Sequence, residues 1–430
     1  MAPRAARGLV VMGAGAVMLA TAACGTQVPA QDADRLQRAA ATAGASTSPA
    51  AATPTTRPTA ETTPMVEATP MADASPPAKQ SSGRVRVVDA SRLTADDGWV
   101  LTHRSLLVTH DSGGSWTEVT PPDRVGAIVG VHFPSPEEGY VAERDYDDLD
   151  GTLTVHHTSD GGASWQSLVV DPHDYIQPLR VSFSFPTAEL GFAAVRLESG
   201  GAFSYASLLR TTDGGTTWEV VGDAPASSGV TFLDASTGWL VGGPTGISDL
   251  FATGDGGRTW NKIGPARPFA GNDTRMGYRA PIVIDDLVMV PVTMTRGAQV
   301  SEEFFVTSTA TAARQEWSRV ASVRLPPSHG RGASLAVAAP ARDSFLSATG
   351  DQGRLVRATA AGQAEVVSAS GLPDGVNRLD FPTPLHGWAV VQNDVCSGTK
   401  ESPVCISTEA LFATEDGGAN WHDLTPPAQE

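Results

Sequence analysis

From Val85 onward, apolar residues fall in short alternating runs of about four to six, broken by Gly, Pro, Asp, Ser and Thr, with no sustained 3.6-residue helical spacing. Such runs predict β-strands. One turn between them recurs almost unchanged: Thr109-His110-Asp111-Ser112-Gly113-Gly114-Ser115-Trp116 aligns without gaps with 158–165, 211–218, 253–260 and 414–421. In each copy an aspartate (Asp111, Asp160, Asp213, Asp255 or Asp416) stands two residues after a threonine and five before a tryptophan. An Asp in this place can accept backbone amides of the turn, glycine supplies positive φ, and the Trp opening the next strand packs back into the core.

A second motif precedes each turn by about 20 residues: Gly98-Trp99, Gly139-Tyr140, Gly191-Phe192, Gly238-Trp239 and Gly387-Trp388, the last four following Phe133-Pro134, Phe185-Pro186, Phe232-Leu233 and Phe381-Pro382. Two worn copies lie between the fourth and the last. One runs from Ile282 to Trp317 with Thr309 in place of the Asp; the other runs from Leu335 to Val366 without a Trp. Seven units of about 49 residues therefore fill 85–430. Units of this length with four short strands predict an all-β fold, a seven-bladed β-propeller. In the fourth unit the expected strands are 230–234, 238–241, 250–253 and 259–263, the Asp turn joining the third to the fourth.

The motif resembles the BNR or Asp-box repeat of sialidases and sortilin-type receptors. Paired with Phe-Pro-x-Gly-Trp, it is most similar to the photosystem II stability/assembly factor family, over most of 85–430. That resemblance implies a partner-binding propeller with an arginine-rich surface. The turns themselves hold enzymes and binders together alike.

The front of the chain is of another kind. Arg4 and Arg7 followed by the apolar run 8–23 and Thr21-Ala22-Ala23-Cys24 resemble a lipoprotein signal, with Thr21 where Leu is usual; the expectation is a signal peptide over 1–23 and a lipid on Cys24. Residues 24–84, rich in Ala, Thr and Pro, have little to bury and read as a disordered tether whose threonines are candidates for glycosylation. The propeller would then stand on the extracytoplasmic face of a cell membrane, as a monomer.

Charge narrows the partners. Acidic residues outnumber basic ones 47 to 30 for a net of −17, which cleavage at Cys24 takes to −19, so a general nucleic-acid binder is excluded. Against that background, Arg180, Arg279, Arg331 and Arg378 each precede or enter the inner strand of a unit, where four guanidiniums form a ring at the channel mouth. Such a ring suits anions, unless each Arg pairs with a neighbouring carboxylate such as Asp380 or Asp285.

Catalytic signals are thin. Tyr278-Arg279-Ala280-Pro281 is similar to the Phe/Tyr-Arg-Ile-Pro segment of sialidases, but it stands in the fifth unit with Ala for Ile, and no catalytic role is carried over. All nine Trp belong to the repeats, leaving Tyr175, Tyr205 and Tyr278 to stack on a sugar. The acidic stretch 145–151 has Leu149 at a calcium-ligand position and reads as a solvated hairpin tip, so no metal or cofactor is expected. Cys396 and Cys405, in a loop of the last unit, are expected to form a disulfide. The reading is a non-catalytic binder of an envelope protein or anionic ligand through Arg180, Arg279, Arg331, Arg378 and Tyr278; the alternative is a sialidase-like glycoside hydrolase.

Overall fold

The computed structural model describes residues 85–428 other than 146, 148–149, 173–175, 199–204, 244–247, 265–273, 298, 326–335, 350–353, 360 and 400–401. Residues 1–84, the expected signal and tether with Cys24, lie outside the described residues, as does Arg331.

Seven antiparallel sheets follow one another along the chain. Blade 1 holds β1 (Val87–Arg92), β2 (Gly98–Thr102), β3 (Leu106–Thr109) and β4 (Thr117–Glu118). Blade 2 holds β5 (Ala127–His132), β6 (Gly139–Arg144), β7 (Leu153–Thr158) and β8 (Gln166–Val170). Blade 3 holds β9 (Pro178–Ser184), β10 (Gly191–Leu197), β11 (Tyr205–Thr211) and β12 (Glu219–Ala224). Blade 4 holds β13 (Gly229–Phe232), β14 (Gly238–Gly242), β15 (Asp249–Thr253) and β16 (Asn261–Ile263), within a few residues of the expected bounds. Blade 5 splits its inner strand into β17 (Thr274–Tyr278) and β18 (Ile282–Ile284), followed by β19 (Leu287–Arg296), β20 (Gln299–Ser308) and β21 (Ser318–Leu325). Blade 6 holds β22 (Val337–Ala341), β23 (Ser344–Thr349), β24 (Arg354–Thr359) and β25 (Ala364–Val367). Blade 7 holds β26 (Val376–Asp380), β27 (Gly387–Thr399), β28 (Ser402–Thr414) and β29 (His422–Asp423). The fold is a seven-bladed β-propeller.

The apolar core is divided rather than central. Seven clusters of buried side chains each draw on two successive blades, and the last joins blade 7 to blade 1 through Val87, Val100, Trp388 and Leu411. A meander blade with apolar residues on both faces buries them only against its neighbours, which is why the ring must close.

Both sequence motifs have a steric or hydrogen-bonding cause. A Cβ on Gly139, Gly191, Gly238 or Gly387 would lie 2.3–2.5 Å from the ring of Phe133, Phe185, Phe232 or Phe381, so the preceding Phe lies flat over a residue that must be glycine. In the Asp turns, each carboxylate accepts the Thr hydroxyl two residues before and both the amide and the side chain of the residue four after, at 2.6–2.9 Å. The two motifs meet at one rim of the ring, where Gly161, Gly214, Gly256 and Gly417 donate their amides to the first turn of the same blade at 2.8–2.9 Å. In blade 5 the worn turn is replaced by a short 3-10 helix, Ala312–Arg314, and Gln315 accepts the indole N–H of Trp239 at 3.1 Å.

The seam between blades 7 and 1 is closed by side chains; among the described residues no strand of one blade pairs with the other. Trp388 takes the place of the missing Phe, its ring edge 2.3 Å from a Cβ on Gly98, and lies 5.9 Å from Trp116. Arg92, fully buried, donates to the Thr414 carbonyl at 3.2 Å and pairs with Glu415 at 2.8 Å. Arg86 grips Glu409 with two bonds of 3.0 Å. A groove of about 290 Å³ beside the seam is lined by Gly113, Trp116, Leu424 and Pro427.

One expectation needs correction. Cys396 and Cys405 lie in strands, not in a loop: β27 and β28 run on past their pairing with β26 as a two-stranded ribbon, in which the two cysteines are direct partners. The sequence suggests a loop there, yet the ladder of β27 with β28 runs unbroken for thirteen pairs, from Gly387 opposite Thr414 to Thr399 opposite Ser402. Antiparallel partners have Cα atoms about 4.5–5.5 Å apart, which is within disulfide range.

Candidate functional site

In a four-stranded meander the start of the inner strand and the second hairpin share one rim, opposite the Asp turns. Arg180 and Arg378 are each the third residue of an inner strand, β9 and β26, and Arg279 directly follows β17. Their surroundings differ. Arg180 is exposed, opposite Arg196 on β10, and has no acid partner among the described residues. Arg279 lies 3.9 Å from Glu302, and Arg378 pairs with Asp89 of blade 1 at 2.6 Å. Tyr278 is buried; Tyr175 and the Tyr205 side chain lie outside the described residues.

Arg378 belongs to a polar cluster drawn from the inner strands of blades 7, 1 and 2. Ser91 donates to Asp380, and the Arg378 guanidinium stands 5.8 Å from the Trp99 ring. Burial acts to lower the pKa of Arg378, but Asp89 and then Asp380 outweigh it and hold the guanidinium charged. Burial raises the Asp380 carboxyl, with Arg378 and Ser91 pulling the other way. His132, stacked on Phe185 at 5.7 Å, is pushed down to about 4 by burial and by the charge of Arg378, so it is neutral near pH 7. Flanked by two carboxylates, Arg378 presents no net positive field to a ligand.

Two buried acid sites were missed by sequence reasoning. In blade 2, the Nε2 of His156 faces Glu143 at 2.7 Å and its Nδ1 faces the Ser167 hydroxyl at 2.8 Å, a line across β6, β7 and β8. Glu143 also accepts the amides of Val125, at 2.6 Å, and of Gly126, pinning the connection from blade 1. Their signal was a Glu and a His at apolar positions of strands. Glu143→Ala strands those amides and should cost about 1–3 kcal/mol in urea unfolding; wild-type stability would remove this clamp. The second is Glu302, completely buried, whose Oε2 accepts the Thr293 hydroxyl at 2.9 Å. Its Oε1 and the Nε of Arg279 are both buried without a hydrogen-bond partner.

The aromatic residues serve packing. Every described Trp, Tyr and Phe side chain is buried or half-buried, as in the Phe133–Trp165, Phe185–Trp218, Phe232–Trp260 and Phe381–Trp421 edge contacts between strands. The acidic tip 145–151 closes the second hairpin of blade 2, with the Asp147 amide donating to Asp145 at 2.9 Å; 146, 148 and 149 lie outside the described residues.

Fold and site together define a seven-bladed propeller with polar and charged side chains on its inner strands. No protein-family model and no curated protein matches the chain. Among solved structures it is similar to the GH74 xyloglucanase of Xanthomonas campestris, with a TM-score of 0.52 and 14% identity over 81% of this chain and 55% of that one. An ancestral GH74 enzyme gives a TM-score of 0.45 and 12% identity over 79% and 54%, and a streptogramin B lyase 0.45 and 12% over 73% and 92%. The chain spans about half the length of the two GH74 proteins. At these identities the likeness is one of fold.

Proposed function

We propose that the chain is a binding propeller, anchored through Cys24 to the extracytoplasmic face of a membrane, that holds an anionic group of its ligand or partner through Arg180 and Arg279. The observation that carries this reading is the contrast among the arginines. Arg378 is neutralised between Asp89 and Asp380, whereas Arg180 is exposed without an acid among the described residues and Arg279 keeps a contact of 3.9 Å that is no hydrogen bond. In this reading the Asp turns are Asp-box repeats, the assignment nearest to the photosystem II stability/assembly factor family, and a disulfide between Cys396 and Cys405 stiffens the ribbon on the binding rim. The tether 24–84 gives the propeller reach from the membrane.

A glycoside hydrolase is the second reading, favoured by one observation: two carboxylates, Asp89 and Asp380, flank Arg378, and burial raises Asp380, as a general acid requires. One experiment separates the two. Wild type and Arg180/Arg279→Ala are used as baits on detergent-solubilised envelope of the host, and wild type is assayed for reducing-sugar release from xyloglucan and arabinan. A near-stoichiometric partner lost with the double variant, and no sugar release, is the expected result. Sugar release abolished by Asp380→Asn would replace the binding reading with the hydrolase.

A further inference from the structure

Inner-strand register shifts occur in blades 1, 2, 3, 6 and 7 as well, but among the described residues only in blade 5 is the inner strand broken into two pieces, β17 and β18. Tyr278 pairs with Val292 and Ile282 with Met289, so three residues, Arg279, Ala280 and Pro281, stand opposite two, Val290 and Pro291. Pro291 has no N–H to give a ladder, and the Arg279 amide donates to its carbonyl at 3.1 Å. A bulge of this kind re-aims a side chain, and here it sends Arg279 across the sheet toward Glu302 on β20.

The contact it makes is incomplete. Arg279 Nε and Glu302 Oε1 lie 3.9 Å apart, each buried and each without a hydrogen-bond partner, while the Arg279 side chain as a whole remains 32% exposed. A buried carboxylate with one hydroxyl donor and a cation 3.9 Å away, but no charge-assisted hydrogen bond, is a poor ion. Among the described residues few groups surround it: Thr293 on β19 donates to it, Val323 is its partner on β21, and β22 of blade 6 carries no ionisable residue. Glu303, next along β20, adds like charge but is itself held by Arg319 at 3.1 Å and Ser322 at 2.8 Å. Desolvation accordingly pushes Glu302 up to about 7, against the smaller opposing pull of Arg279.

We propose that Arg279 is a proton-coupled oxyanion receptor: it exchanges its loose contact with Glu302 for a two-oxygen anionic group of the ligand as Glu302 takes up a proton. The proposal rests on the anion-binding reading above and deepens it. A carboxylate, sulfate or phosphate offers a guanidinium paired bonds that Glu302 does not make. An incoming anion beside an ionised Glu302 would place two negative charges on one guanidinium, and a neutral Glu302 removes that repulsion. Anion binding at Arg279 draws a proton onto the fraction of Glu302 still ionised, so uptake approaches one proton per anion above neutral pH and falls toward none below it, and no covalent bond changes. Affinity should therefore rise as pH falls through the neutral range.

Sulfate is the probe, because it stays fully ionised across that range. By calorimetry, wild type should bind sulfate about five- to tenfold more tightly near pH 6 than near pH 8 and take up protons on binding. Glu302→Gln should bind equally at both, as tightly as wild type near pH 6, and Arg279→Gln should not bind. Infrared difference spectra give a second readout: sulfate added near pH 7 should increase the protonated-carboxyl band of wild type but not of Glu302→Gln. A glutamate-rich peptide that competes with sulfate would mark an acidic protein as the source of the oxyanion, and sulfate binding without competition a free ligand. Wild-type binding without pH dependence, yet lost in Arg279→Gln, overturns the proton coupling and leaves the anion site standing. No sulfate binding to wild type at either pH overturns both.

Discussion

Trp388→Ala should cost about 3–5 kcal/mol of stability and open the ring at the junction of blades 7 and 1. The indole is buried, fills the space over Gly98 that a phenylalanine fills in other blades, and lies against Trp116 with the Arg92 guanidinium 6.0 Å from its ring. No ladder hydrogen bond crosses this junction among the described residues, so packing and the Arg92–Glu415, Arg378–Asp89 and Arg86–Glu409 pairs carry the closure. Trp239→Ala is the comparison, equally buried but between blades 4 and 5, which the chain itself links. Denaturant unfolding should show similar losses for the two. Amide exchange should rise in β1, β2, β27 and β28 only for Trp388→Ala; indistinguishable exchange maps would mean the seam is no weaker than any other interface.

Stability should peak in mildly acidic solution and fall on both sides, for opposite reasons. Hydrogen bonds from Ser164 and Thr259 hold the Asp160 and Asp255 carboxyls down to about 2, and the other three Asp turns are shifted the same way. Because these folded-state values lie below the unfolded one near 3.8, their stabilisation is present above about pH 4 and is lost as pH falls toward about 2. Glu302 runs the other way. Its value is raised from 4.5 to about 7, so what it contributes is present below about pH 4.5 and lost as pH rises through about 7. Melting temperature against pH should show both limbs. Asp160→Asn with Asp255→Asn should shrink the acid limb, and Glu302→Gln the upper one, by on the order of 1–3 kcal/mol near pH 8. An upper limb unchanged in Glu302→Gln would show that this carboxyl is not its origin.

What was legible in the sequence is what repeats. The Asp turn and the Gly-aromatic pair appear five times because each is a largely local solution, a carboxylate inside its own turn and, in all but blade 1, a Phe ring of the same blade over the glycine, and seven blades followed from their spacing. Even the worn units kept four strands, since blade-to-blade burial needs only the apolar alternation of β19 to β25. The candidate site was less legible because its contacts join residues far apart in sequence. Arg378 meets Asp89 from the other end of the chain, and nothing local announces that neighbour. Arg279 was visible as a cation before an inner strand, but the bulge that turns it toward Glu302 depends on a register across three strands. The Glu143–His156–Ser167 line is hidden likewise, each member standing alone within an apolar strand.

Because blades 1 and 7 each fold from four consecutive strands of their own, with Val85 and Leu424 packed against one shared cluster, the modular unit of this chain is a whole blade. Duplication or loss of one such segment of the gene leaves every ladder intact and asks only that the ring close on a new number. A unit tolerates change in its turns on the same account: blades 5 and 6 lack the Asp turn that the other five carry and still form their sheets.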